Sequence, residues 1–219
     1  MYDLIIFDLD GTLLDTIGDL AAAGNYALEK MGMPLHGEDE YKLFVGNGIP
    51  KLIERMLPSG HSAEEETEAL RIFSEYYGKH KSDRTKPYKG MRELLDELSA
   101  EGITCVCNTN KAQEFSEELV RKFFGNLIKE VAGAGSGFPV KPAPDAAKEL
   151  IGRFGGRALY VGDSGVDMQT AANAGTDACG VLWGFRSREE LESFRPRYIA
   201  ETVAELRGII LGKEKLTGL

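Results

Sequence analysis

The chain of 219 residues is 42% apolar and 28% charged, with 26 basic against 35 acidic side chains and a formal net charge of −9. This excludes overall disorder and collagen-like structure, and the length suffices to bury roughly 70% of the unfolded surface without a disulfide or metal staple. An acidic chain without a basic block repels a polyphosphate backbone, so nucleic acid is not an expected partner, although a local basic pocket for a small anion is still allowed.

In chain order, Met1-Tyr2-Asp3-Leu4 lacks the basic flank of a signal peptide. Leu4-Ile5-Ile6-Phe7 is a short apolar run that meets Asp8, as a buried strand would. From Ile17 the period changes: Ile17, Leu20, Ala21, Gly24, Leu28 and Met31 share one helical face until Gly32 and Pro34. Residues 16–83 hold no convincing strand and predict several helices, among them 49–56 and 63–79, broken by Gly46, Gly48, Pro58 and Gly60. After Pro87 and Gly90 the two periods alternate. Helices are predicted over 91–100, 113–124, 143–154 and 166–174, and strands over 103–107, 127–132, 158–161 and, as the last, 178–182. This alternation predicts an α/β fold, a parallel sheet with helices on both faces and an all-helical insertion after its first strand. The expected division is a core of residues 1–15 and 86–219 and a helical domain of residues 16–85.

The cysteines, Cys105, Cys107 and Cys179, are odd in number and read as reduced thiols. Cys105 and Cys107 stand two apart in a predicted strand, so both face one side as small buried hydrophobes. No apolar stretch approaches the ~20 residues of a transmembrane helix. The expected setting is cytoplasmic, with no membrane partner. His36, His61 and His80 are isolated and expected at the surface, Glu64-Glu65-Glu66 reads as a solvated helix face, and Lys213-Glu214-Lys215 as a charged, frayed end.

Ligands of open α/β sheets sit at the carboxyl ends of the strands. The polar groups placed there are Asp8-Leu9-Asp10-Gly11-Thr12, Asn108-Thr109-Asn110-Lys111, and Gly162-Asp163-Ser164 with Asp167 beyond; Lys141-Pro142 precedes a helix. Each group alone has an ordinary structural explanation, as an acidic turn, a helix cap or a loop lysine. Their joint occurrence after strands points to one shared site. Several carboxylates together need a cation, and oxygen ligands select a hard one such as Mg²⁺. Lys141, Thr109 and backbone N–H groups would hold an anion beside it, which suits a phosphoryl group. One carboxylate can attack phosphorus to form an acyl phosphate, and a second, two residues along, can move the proton.

Phe7-Asp8-Leu9-Asp10-Gly11-Thr12-Leu13, Thr109-Asn110-Lys111, Lys141-Pro142 with Pro144-Asp145, and Gly162-Asp163-Ser164-Gly165-Val166-Asp167 resemble, in order and spacing, the four signatures of the haloacid dehalogenase-like phosphatase superfamily. The resemblance implies a Rossmann-like core with a small helical cap. It implies Asp8 as nucleophile, Asp10 as general acid/base, and Mg²⁺ held by Asp8, the Asp10 carbonyl and Asp163, with Asp167 supporting the metal shell. Thr109, Asn110 and Lys141 would bind the phosphoryl group. Asn108 departs from the family, where an aliphatic residue usually stands.

More narrowly, Val45-Gly46-Asn47-Gly48 with Leu52-Ile53-Glu54-Arg55, and Trp183-Gly184-Phe185-Arg186-Ser187 with Glu189-Glu190-Leu191, resemble the phosphoglycolate phosphatase-like subfamily. Asn47, Lys51 and Arg55 are then the expected specificity residues of the cap. Trp183 and Phe185 either cover the site or pack beneath it. The expected partner is a small-molecule phosphate ester, phosphoglycolate foremost, and the expected state a monomer or homodimer. A sugar-phosphate mutase or inorganic pyrophosphatase is the alternative within the family, but Ile49 offers no basic anchor for a second phosphate. A non-catalytic binding protein and a phosphorylated signalling receiver are the alternatives of other classes. The complete charge set of Asp8, Asp10, Lys141 and Asp163 argues against the first, and the helical insertion with Asp10 against the second.

Overall fold

The computed structural model describes residues 1–212; the 213–215 charged run lies outside them. The chain opens with β1 (Leu4–Phe7) and a two-residue strand, β2 (Leu14–Asp15). Four helices follow, α1 (Ile17–Lys30), α2 (Glu38–Phe44), α3 (Ile49–Met56) and α4 (Ala63–His80), before β3 (Lys86–Pro87) returns antiparallel to β2. Helices and strands then alternate through α5 (Met91–Ala100), β4 (Thr104–Ala112), α6 (Gln113–Phe124), β5 (Val131–Ala134), α7 (Asp145–Phe154), β6 (Ala158–Gly162), α8 (Gly165–Ala174), β7 (Asp177–Val181), α9 (Arg188–Ser193), β8 (Tyr198–Ala200) and α10 (Val203–Leu211).

The main sheet has six parallel strands in the order β5-β4-β1-β6-β7-β8. Its central strands β1 and β6 are apolar throughout because both faces are covered. Alternate residues of β1 enter different cores: Ile5 and Phe7 pack with α5, α6 and α10, while Leu4 and Ile6 pack with α7 and α8. Cys105 and Cys107 share the first of these faces, as their spacing requires. The helical block has an apolar core of its own, in which Leu20, Tyr41, Ile53 and Phe73 are fully or almost fully buried. Its two connections to the sheet are tied together by Asp19 in the first turn of α1. That carboxylate accepts from the Arg84 N–H (2.9 Å), the Thr85 N–H (2.8 Å) and the Thr85 hydroxyl (2.7 Å).

Four expectations change. The strand predicted over 103–107 runs on through Asn108–Lys111 to Ala112, because the backbone keeps pairing with β5 across a register shift even where the side chains turn polar. The strand predicted over 127–132 lies at Val131–Ala134; Ile128 is instead a core residue ahead of it. The run 178–182 is not the last strand, since β8 adds a sixth at the edge, too short to stand out in the sequence. His36 and His61 are half-buried rather than at the surface; His36 has its Nε2 2.8 Å from the Met56 carbonyl and its Nδ1 3.0 Å from Glu40, and His61 its Nδ1 3.2 Å from the Pro58 carbonyl.

Candidate active site

Asp8 follows β1 directly, and its N–H continues the ladder to the Val161 carbonyl at 2.9 Å. The adjacent β6 ends at Gly162, so Asp163 lies beside Asp8 at the same edge of the sheet. Gly11 turns the chain between them with φ +83°, and a Cβ there would meet Asp163 Oδ2 at 2.3 Å. Thr12 Oγ1 donates to Asp163 Oδ1 at 3.3 Å, and the Phe185 N–H to Asp163 Oδ2 at 2.7 Å. Trp183 Nε1 donates to the Thr12 carbonyl at 3.1 Å. The tail segment therefore does both things expected of it as alternatives: Trp183 stitches the loop after β1, and Phe185 lines the cavity. Gly184 is required by close approach, since a Cβ would lie 2.4 Å from both Asp163 Oδ2 and the Gly11 carbonyl.

Lys141 enters from the loop before α7. Its Nζ lies 2.8 Å from Asp8 Oδ1 and 2.6 Å from Asp167 Oδ1. The contact with Asp8 is an ion pair off the hydrogen-bonding direction, so this buried oxygen makes no hydrogen bond. Asp167 Oδ2 accepts from the Ser164 N–H (3.1 Å) and hydroxyl (2.6 Å), in the capping box that starts α8. One oxygen each of Asp8, Asp163 and Asp167 lies within 4.8 Å of the others, and all three residues are buried. Burial pushes the Asp8 carboxyl up to about 7, with Lys141 opposing and Asp167 adding to the rise. Burial, and then the charges of Asp167 and Asp8, push Asp163 well above the usual range. Three clustered carboxylates with one ammonium against two of them, all-oxygen donors and an oxygen without a hydrogen bond fit a hard divalent cation, which would offset the repulsion.

Asp10 stands at the same edge, paired with Lys111 Nζ at 3.0 and 3.1 Å. Thr109 and Lys111 line the cavity with Asp8 and Asp10. Asn110, expected on the phosphoryl group, also lines the cavity, and its side chain is hydrogen-bonded within the protein. Its Nδ2 donates to the Gly46 and Lys141 carbonyls, each at 3.1 Å, and its Oδ1 accepts the Lys141 N–H at 2.7 Å. It thus holds Lys141 and the helical block's loop in place. Asn108 turns away from the site: its amide donates to the Ala132 carbonyl at 3.2 Å and accepts from Tyr160 at 3.0 Å.

The helical block covers this edge through Val45–Ile49, leaving a cavity of about 30 Å³ lined also by Asp8, Asp10 and Asp163. The expected specificity residues Asn47, Lys51 and Arg55 do not line it. The apolar side of α3, Leu52, Ile53 and Met56, packs inward, so Lys51 and Arg55 lie on the solvent side. Lys51 pairs with Glu54, and Arg55 donates to Asn47 Oδ1 (2.8 Å) and the Phe44 carbonyl (2.9 Å). Two cations with no role assigned from the sequence face the cavity instead, Lys111 and Arg186. Arg186 donates to the Lys42 carbonyl and, at 2.7 Å, to the Val45 carbonyl, fastening the loop to the sheet edge. Both stood inside quoted motifs, and their presence there was the only signal for them.

Residues 5–181 match the model of the haloacid dehalogenase-like hydrolase family. The chain belongs to that family. Within it, the chain is 33% identical over 218 residues to a phosphoglycolate phosphatase of Vibrio parahaemolyticus, covering 94% of this chain and 95% of that one. It is also 33% identical over 220 residues to one of Mannheimia succiniciproducens, covering 95% and 98%. A crystal structure from Lactobacillus delbrueckii subsp. bulgaricus, itself assigned only provisionally as a phosphoglycolate phosphatase, superposes with a TM-score of 0.90 at 31% identity, covering 96% of this chain and 99% of that one. The chain is a haloacid dehalogenase-like phosphatase of the phosphoglycolate phosphatase-like kind. No helix among the described residues is long and apolar enough to cross a membrane.

Proposed function

We propose that the chain is an Mg²⁺-dependent phosphomonoesterase that hydrolyses a small acidic phosphate ester, phosphoglycolate foremost, through an aspartyl phosphate. The observation that carries this reading is the buried carboxylate of Asp8 at a strand end, 2.8 Å from Lys141 Nζ and clustered with Asp163 and Asp167. The names of the relatives support the substrate.

Asp8, Asp163 and the Asp10 carbonyl would hold Mg²⁺, with Asp167 behind them. Bound there, the ion would offset the negative charge of the phosphoryl oxygens and keep Asp8 ionised. Lys141 and the Thr109 hydroxyl grip the phosphoryl group. An Asp8 oxygen attacks phosphorus and the ester bond breaks, while Asp10 gives its proton to the departing oxygen. Asp10 then takes a proton from the water that attacks the aspartyl phosphate, which frees inorganic phosphate and restores Asp8. Asp167 acts through Lys141, since both its oxygens are engaged. The helical block, residues 16–85, serves as the cap; it lifts to admit the ester and closes to exclude water.

A panel of phosphate esters assayed with and without Mg²⁺ tests this. The expected result is metal-dependent hydrolysis with the highest kcat/KM on small acidic esters. Full activity in excess chelator, or no hydrolysis of any ester, would overturn it.

A further inference from the structure

We propose that Lys111, together with the Tyr77 hydroxyl, forms the subsite that grips the carboxylate of the leaving group. The inference rests on the phosphatase reading above and adds which residues recognise the acid. Lys111 belongs to β4, has a side chain only 1% exposed, and lines the cavity with Asp8, Asp10 and Thr109. Its ammonium already holds a carboxylate through both oxygens, those of Asp10 at 3.0 and 3.1 Å. The Tyr77 ring lies against it, with 4.8 Å from Nζ to the ring centroid. The Tyr77 hydroxyl is fully buried behind Lys111, outside the lining of the cavity, and makes no hydrogen bond, so a carboxylate that draws the ammonium aside would bring an unpaired donor within its reach.

The shape of the substrate selects this pair. In a two-carbon acid ester the carboxylate stands one carbon from the ester oxygen. The group that protonates that oxygen and the group that grips the carboxylate must therefore be neighbours. Asp10 is the proton donor of the proposed reaction, and Lys111 is the cation in contact with it. Lys111 is paired as well, but with Asp10, the group that must turn to the ester oxygen; the other cations near the site have partners outside that exchange. Lys141 pairs with Asp8 and Asp167, Arg186 is fastened to two carbonyls of the cap, and Lys51 and Arg55 face outward. Substrate entry moves the ammonium from Asp10 to the incoming carboxylate and leaves Asp10 facing the ester oxygen. Tyr77 comes from α4 and Lys111 from β4, so only the closed cap completes the subsite.

The test uses the non-hydrolysing Asp8→Asn protein with Mg²⁺ and compares calorimetric binding of phosphoglycolate with ethyl phosphate, which carries a methyl group where phosphoglycolate carries its carboxylate. Adding Lys111→Met is expected to weaken phosphoglycolate binding about 10- to 100-fold and ethyl phosphate less than about 3-fold. Tyr77→Phe keeps the ring and is expected to weaken phosphoglycolate alone. If Lys111→Met fails to fold by circular dichroism, Lys111→Gln carries the same comparison. Equal losses on both esters, or none on phosphoglycolate, would overturn the subsite. With Asp8 intact, the kcat/KM preference for phosphoglycolate should collapse in parallel in the Lys111 variant. Selective binding without hydrolysis of either ester would keep the subsite and defeat the phosphatase reading.

Discussion

Asp8→Asn removes one charge and almost no volume. The fold should persist while turnover disappears, and wild-type rates in the pure variant would rule out Asp8 as nucleophile. Asp10→Asn should slow ester cleavage about 10²–10⁴-fold, the usual contribution of a general acid–base group. A loss below tenfold on a poor leaving group would give Asp10 another role. Asp8 also links stability to pH. Without a cation, burial pushes its carboxyl up to about 7 from 3.8. Between those values the folded chain keeps a proton that the unfolded chain has released, so this group's contribution to stability falls as pH rises from about 4 to about 7. In chelator, the wild-type melting temperature should drop through that window by roughly 5 °C more than that of Asp8→Asn. Millimolar Mg²⁺ should shrink the difference, because the bound ion favours the ionised form. Parallel curves for the two proteins would refute the linkage.

At the scale of elements, the joint between sheet and helical block depends on one side chain. The two connections run side by side as β2 and β3, and Asp19 satisfies three donors of the return connection. Asp19→Ala leaves those donors without their acceptor at a buried place, at a cost of about 2–4 kcal/mol. Thermal melting should show this as a drop of roughly 5–15 °C. A melting temperature unchanged by the substitution would mean that water replaces the carboxylate freely. The opposite side of the block is held differently, by Arg186 and Asn110 on the carbonyls of Lys42, Val45 and Gly46. Those bonds connect the cap loop to the segment that orients Asp163 and to the residue that orients Lys141. The block's loop and the groups of the candidate site are therefore joined by direct contacts.

Across the whole molecule, apolar burial is divided. The two cores against the sheet contain β1, β4 and β6, whereas the helical block buries Phe73 and its neighbours in a separate cluster. Phe73→Ala should cost about 3–5 kcal/mol within that cluster. Hydrogen exchange should then show lost protection in α1 to α4 with β1, β4 and β6 still protected. Uniform loss across the chain would mean that the block and the sheet unfold as one unit.

Much of this molecule was legible in the linear chain. The run Leu4-Ile5-Ile6-Phe7 is apolar at every position because both faces of a parallel sheet are covered, and the change to helical spacing at Ile17 marks the start of the helical block. Asp8, Asp163 and Asp10 could be placed at one edge because polar residues after parallel strands share the carboxyl end. Asn108–Lys111 reached that edge although the strand does not stop before them. Tertiary structure alone decided which side chains turn inward there. Asn110 and Lys111 are adjacent in sequence, yet one holds a cap carbonyl and the other holds Asp10. Lys51 and Arg55 were legible as cations but not as residues of the solvent side, because that depends on how α3 is rotated against α2 and α4. Tyr77 and Lys111 meet only because the cap closes onto the sheet. A local pattern reports whether a residue is buried and with what period. Which partner it meets depends on the relative placement of elements far apart in the chain, and no local pattern encodes that.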